Sequence, residues 1–168
     1  MPAAFEIRHS KLQRLLAYWR AKSWGSRLPA RADIDPLEMT PWLGHLLLIE
    51  PDPIGDYRYR LYGTEFVEAF GRDMTGRTLA SLPQQQHRLL AAEYGEARIR
   101  RAPLTRVYTA DFPDPNNTHR LRRASWERLV LPLASDGANV DMLLVGAYPL
   151  DEAASPGCDA ALRHHTSS

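Results

Sequence analysis

The chain has 168 residues, 44% of them hydrophobic and 24% charged, with a formal net charge of +1. That apolar fraction excludes a disordered chain, no run reaches membrane-spanning length, and the length suits one domain with a real hydrophobic core. A single cysteine, Cys158, excludes a disulfide framework and a cysteine-based zinc site.

At the N-terminus, MPAAFEIRHSKLQRLL has no uninterrupted apolar run and no small-residue cleavage site, so the expectation is a cytoplasmic protein without a secretory signal. Ser10 to about Lys22 reads as a helix with Ser10 as its N-cap and Gly25 just beyond its end. Leu12, Leu15, Leu16 and Trp19 fall at helical spacing and form one apolar stripe on a basic rod. Residues 1–31 carry seven Lys or Arg against Glu6, a net of +6, whereas residues 32–57 carry six acids and no Lys or Arg, a net of −6. Two readings fit: solvated faces that alternate in sign, or a basic N-terminal segment docked on an acidic surface of its own chain or of a partner. Asp35 before Pro36 predicts a short helix from Pro36 to about Trp42.

LLLIE (46–50) and YRYRLY (57–62) are strand-like runs joined by the turn formers of PDPIGD (51–56), which predicts a hairpin. Thr64 can cap a short helix bearing Phe66, Val67 and Phe70, and Gly71 can stop it in a left-handed conformation. RDMTGRTL (72–79) is a loop with a turn at Gly76. Gln84 to about Arg100 is the second long helix, with Leu90, Tyr94 and Ala97 inward and Pro103 beyond its end. Three strands follow: LTRVYTADF (104–112), HRLRRASWERLVLPL (119–133) and VDMLLVGAY (140–148), with turns at DPNN (114–117) and SDGAN (135–139). LVLPL and MLLV are continuous apolar runs, so both faces of these strands need cover. The helices of residues 64–100 supply one cover, and the stripe Leu12, Leu15, Leu16 and Trp19 supplies the other, from this chain or from a dimer partner. Residues 151–168 lose periodicity and read as a disordered tail. The fold class is α+β, a single antiparallel sheet with helices segregated to one face.

Four blocks in this order carry a resemblance: LPARADIDP (28–36), YRLYGTEFVEAFGRDMTGRTL (59–79), WERLVLPLASDG (126–137) and VDMLL (140–144). Together they resemble the PAS-domain superfamily over about residues 10–149, and more narrowly a branch of bacterial single-domain PAS-like proteins. The resemblance implies a PAS-like domain at 32–150 preceded by a basic helix and connector at 1–31. It also implies a five-stranded antiparallel sheet with a small-molecule cup under its helices. The function it implies is a non-catalytic sensory module that binds a small molecule or a protein partner and signals through helix or homodimer contacts.

Residue chemistry narrows the cofactor. Covalent flavin photochemistry needs a cysteine in the helical region, and Cys158 lies in the tail. Haem-binding relatives use a histidine on the long helix; His87 sits near its start, but its spacing after Pro83 differs and no second ligand is evident, so haem is disfavoured. A small apolar ligand, or none, remains, with Phe66, Phe70, Tyr94, Tyr108, Trp126 and Met142 as candidate cup lining. The alternative for each is plain core packing. Arg106, Arg123 and Arg128 could meet an anionic ligand if one projects inward; a desolvated Arg needs a partner such as Glu127 or a site.

No phosphate-binding glycine loop, HExxH, CxxC or GxSxG occurs. His164 and His165 lie in the tail with nothing to complete a metal site, and Asp33/Asp35 and Asp111/Asp114 sit in turn-like segments. Two other functions are weighed against the sensor. A small α+β isomerase or hydrolase would need an inward carboxylate or histidine with a shifted pKa. Nucleic-acid binding would rest on RIRR (98–101) and HRLRR (119–123) near Trp126, against an acidic 32–57 segment that repels a phosphate backbone.

Overall fold

The continuous apolar runs become the middle of one antiparallel sheet. In the computed structural model, which describes residues 5–114 and 116–150, the strands are β1 (Leu46–Pro51), β2 (Tyr57–Tyr62), β3 (Leu104–Asp114), β4 (Asn117–Leu133) and β5 (Met142–Leu150). Their spatial order is β2-β1-β5-β4-β3. β5 and its neighbours β1 and β4 are therefore internal, and the chain's last described strand closes the sheet between the two hairpin units. The expected tail at 151–168, with Cys158 and the His164–His165 pair, lies outside the described residues.

Side chains alternate between faces with a period of two. Leu46, Leu48, Leu129, Leu131, Leu133, Leu144 and Tyr148 point to one face and are buried with Leu12, Leu15, Leu16 and Trp19. Leu47, Ile49, Val130, Leu143, Val145 and Ala147 point to the other, where they meet Phe66, Leu79, Leu90, Tyr94 and Ala97. The first cover is helix α1 (Ser10–Lys22); the second is α2 (Thr64–Phe70) with α3 (Gln84–Arg100). The apolar stripe of the first helix thus packs on its own sheet. Its four residues are spent inside the chain and do not form an exposed dimer seam.

Polar contacts fix α1 on the sheet. The buried Trp19 indole donates to the Pro132 carbonyl at 2.9 Å, and the Trp42 indole donates to the Lys11 carbonyl at 2.8 Å. Glu127, 1% exposed, accepts from the backbone N–H of Arg8 at 2.8 Å and of His9 at 2.7 Å. That clamp sets the helix start. His9, not the expected Ser10, is the N-cap, and its Nδ1 accepts from the Lys11 amide. The oppositely charged segments meet through one described ion pair, Lys22 to Glu38 at 2.8 Å, so docking is mainly apolar.

The expected helix from Pro36 to Trp42 is a turn followed by a short 3₁₀ segment, Thr40–Trp42. Asp35 caps as expected, accepting from Leu37 N at 2.8 Å. Pro41 lacks an N–H and disfavours helical geometry at Thr40, which stops an α-helix there. Gly63, not the expected Thr64, is the N-cap of α2, since Thr64 already has helical geometry; Gly71 ends the helix at φ 72°, in the left-handed region as expected.

Two glycines give predictions of opposite sign. A Cβ on Gly146 would lie 2.6 Å from Leu15 Cδ2 and 2.9 Å from Leu12 Cδ2, so the bare backbone of β5 is what lets α1 lie this close. Gly146→Val should cost about 1–3 kcal/mol by overpacking. Gly95 lies inside α3 with only Tyr57 Oη near, 3.8 Å away, and Gly95→Ala should stabilise by about 0.5–1 kcal/mol. Urea unfolding of both variants checks the pair.

Candidate functional site

Where α2 and the start of α3 stand off the sheet, a cavity of about 560 Å³ remains. Its inner walls are Leu47, Tyr59, Leu90 and Ala147, and its sides include Tyr62, Phe66, Tyr108 and Trp126. Exposed Phe70, Gln85, Gln86, Leu89 and Asp111 line its mouth. The rings are in mutual contact: Trp126 lies 6.0 Å from both Phe66 and Phe70 and 6.2 Å from Phe112, measured between centroids. Such a volume, mostly apolar with few polar groups, suits a small organic molecule.

One charge lies in the wall. Arg128 follows Glu127 on β4, so alternation turns it to the cavity face while Glu127 points to α1. Its guanidinium donates to Tyr94 Oη at 2.6 Å and lies 5.5 Å from the ring centroids of both Tyr94 and Tyr108. Glu93 Oε2 lies 3.7 Å from its Nη1, an ion pair longer than a charge-assisted hydrogen bond. Glu93 Oε1 and the Tyr108 hydroxyl, both buried, have no hydrogen-bond partner among the described residues. The partner of Arg128 is thus Glu93 on α3; Glu127 lies on the opposite face.

Of the expected lining residues, Phe66, Phe70, Tyr108 and Trp126 reach the cavity. Tyr94 is fully buried behind its wall, where it holds Arg128. Met142 is on the wrong face: it begins β5 and packs with the α1 cluster, because alternation gives the cup to Leu143. Arg106 is tied to Glu96 at 2.9 Å on the surface, and Arg123 lies 3.7 Å from Asp111, both half or more exposed. His87, weighed as a haem ligand, is committed to Asp56 Oδ1 at 3.0 Å, next to the β1–β2 turn. Sequence reasoning missed Tyr59, Tyr62 and Glu93. Glu93 was detectable, since it sits three residues after Leu90 and four before Ala97, an acid inside the apolar stripe. Among the described residues no group of three or more His, Cys, Asp or Glu is placed to hold a metal ion.

A PAS domain family model matches residues 7–148. The chain belongs to the PAS-domain family. Among solved structures it is similar to a light-oxygen-voltage domain studied with a flavin analogue. That match has 12% identity and a TM-score of 0.48, over 70% of this chain and 84% of that one. No curated protein matches the chain. Membership supports a sensory module in general, and the cavity occupies the side of this PAS sheet covered by α2 and α3.

Burial tunes the phenols around the cup. Desolvation, aided by the nearby Tyr94, pushes Tyr62 up to about 12, and desolvation with the Glu93 carboxylate pushes Tyr108 up to about 12. Tyr59 and Tyr94 are also raised, chiefly by burial. Desolvation opposes the charge of Arg128, but the adjoining Tyr94 and Glu93 outweigh it and hold the guanidinium protonated.

Two measurements follow from this geometry. A phenol raised in the folded state adds stability below its unfolded value near 10 and loses it as pH rises toward the folded value. Stability should therefore fall between pH 10 and about 12, and phenolate absorbance should appear in step with unfolding. Arg128→Met should cost about 3–5 kcal/mol by stranding Glu93, whereas Arg128→Met with Glu93→Gln should return to within about 2 kcal/mol of wild type in chemical denaturation.

Proposed function

We infer that this PAS domain is a non-catalytic cytoplasmic sensor whose cup takes a small, mainly apolar molecule and whose N-terminal helix carries the bound state to a second protein chain. The observation that carries the reading is the placement of Glu127 and Arg128. Consecutive residues of β4 face opposite ways, one lining the cup and one clamping the two amides that start α1. A ligand that displaces β4 at Arg128 acts through a single peptide unit on the clamp of the helix. No described helix is long and apolar enough to cross a membrane, and the lone cysteine accords with a reducing compartment.

The second chain is either another copy or a signalling protein. The apolar stripe of α1 is buried, so the contact falls to its outer side, where Arg14, Ala17, Arg20 and Ala21 are exposed. The enzyme reading has little to work with among the described residues: the lining carboxylate Asp111 sits at the mouth 3.7 Å from Arg123, and the inner one, Glu93, faces Arg128 from behind the wall.

A neutral solvatochromic dye such as Nile red tests the cup. Its fluorescence should rise with wild-type protein and stay low with Ala110→Trp, which fills the cavity from β3. Dye binding should also change hydrogen exchange at the amides of Leu12 to Trp19. Equal dye uptake by both proteins would remove the cup from the mechanism, and unchanged helix exchange would remove α1.

A further inference from the structure

We propose that the molecule seated in the cup is an aromatic or similarly flat apolar carboxylate, anchored by Arg128. This rests on the reading of the cup as a ligand site and names the chemistry it selects. Arg128 is 9% exposed, lines the cavity, and among the described residues makes one hydrogen bond with its five N–H groups, to Tyr94. Its Nη2 donates to Tyr94 Oη, Nη1 faces Glu93 at 3.7 Å and its Cζ lies 5.5 Å from both the Tyr94 and Tyr108 ring centroids, which leaves the other N–H groups of its planar fork without a partner among the described residues. A planar fork of donors matches the two oxygens of a carboxylate better than any neutral acceptor.

The residues around it favour the same ligand. Glu93 and Tyr94 are absent from the cavity wall, so they hold the guanidinium from behind and leave its front to a guest. At 3.7 Å, Glu93 orients the cation without saturating it. The buried Tyr108 hydroxyl, which has no hydrogen-bond partner among the described residues, is a second donor beside Arg128 for the same carboxylate. Among the described residues Arg128 is the only cation lining the cavity, and the only lining acid, Asp111, is exposed at the mouth beside Arg123. Phe66, Phe70, Phe112 and Trp126 give the remainder of the guest a slot of aromatic faces and edges.

The test pairs acids with their amides. Benzoate, phenylacetate and indole-3-acetate, each beside its primary amide, are titrated into full-length protein by calorimetry. At least one acid should bind, with its amide about tenfold to a hundredfold weaker, the loss expected for charge-assisted hydrogen bonds. Arg128→Met alone risks unfolding, so the double variant Arg128→Met with Glu93→Gln is the comparison; it should bind acid and amide alike. Equal binding of acid and amide to wild type overturns the carboxylate assignment and leaves small-molecule sensing intact. Failure of every acid and amide, while Nile red still enters, also overturns the assignment alone. Failure of all three probe types overturns the sensor reading with it.

Discussion

A sheet that is apolar on both sides cannot stand with one layer of helices, and every other feature of this molecule follows from that constraint. The central strands carry leucine and valine at successive positions, so period-two alternation delivers grease to both faces at once. α2 and α3 cover one face, and α1 covers the other. Fully burying a single leucine is worth about 1.5–3 kcal/mol, and Leu12 and Leu15 are both at 0% exposure. α1 is therefore part of the core and not an appendage, and any process that lifts it must expose the Leu129–Leu133 strip of β4.

The two covers do not fit equally well. α1 closes on the sheet tightly enough that a methyl group at position 146 would collide with it. On the other face the short α2 and the start of α3 leave about 560 Å³ unfilled, ringed by aromatic side chains. One face is closed by a helix in close contact and the other holds space. The same strands serve both, which is the basis for the proposed coupling between cup and helix. The ring stack His9–Tyr148–His45, with centroids 4.4 and 4.0 Å apart, adds a rigid contact from the start of α1 to β1, and His45 meets Phe66 edge-on at 6.5 Å.

Much of this was legible in the sequence. Strand β2 and helices α1, α2 and α3 fall on the expected spans, because turn residues such as PDPIGD and Gly71 bound clean periodic segments. The need for two covers could be read from LVLPL and MLLV. Which face each residue took was harder. Met142 is large and apolar, which suits the cup, yet a one-residue parity decides its side, and parity depends on register with β4. Arg128 and Glu127 show the same limit: pairing them as neighbours in sequence ignores that neighbours on a strand point apart. The true partner, Glu93, comes from a helix thirty-five positions earlier and is visible only as an acid out of place in an apolar stripe. His9 as N-cap was not legible, because its cause is the distant Glu127 carboxylate.

The two buried charges on β4 also separate structural from functional roles by their degree of satisfaction. Glu127 receives two short backbone hydrogen bonds and needs nothing more. Its burial is repaid by fixing the entry to α1. Arg128 is also buried, at 9% exposed against 1%, but it has a long ion pair, one short hydrogen bond among the described residues and a place in the cavity wall. For stability alone, an apolar residue of similar size in place of the pair would do as well or better. The carboxylate proposed for the cup would complete the pairing that Glu93 leaves at 3.7 Å, and the cavity that Arg128 lines is where that contact fits.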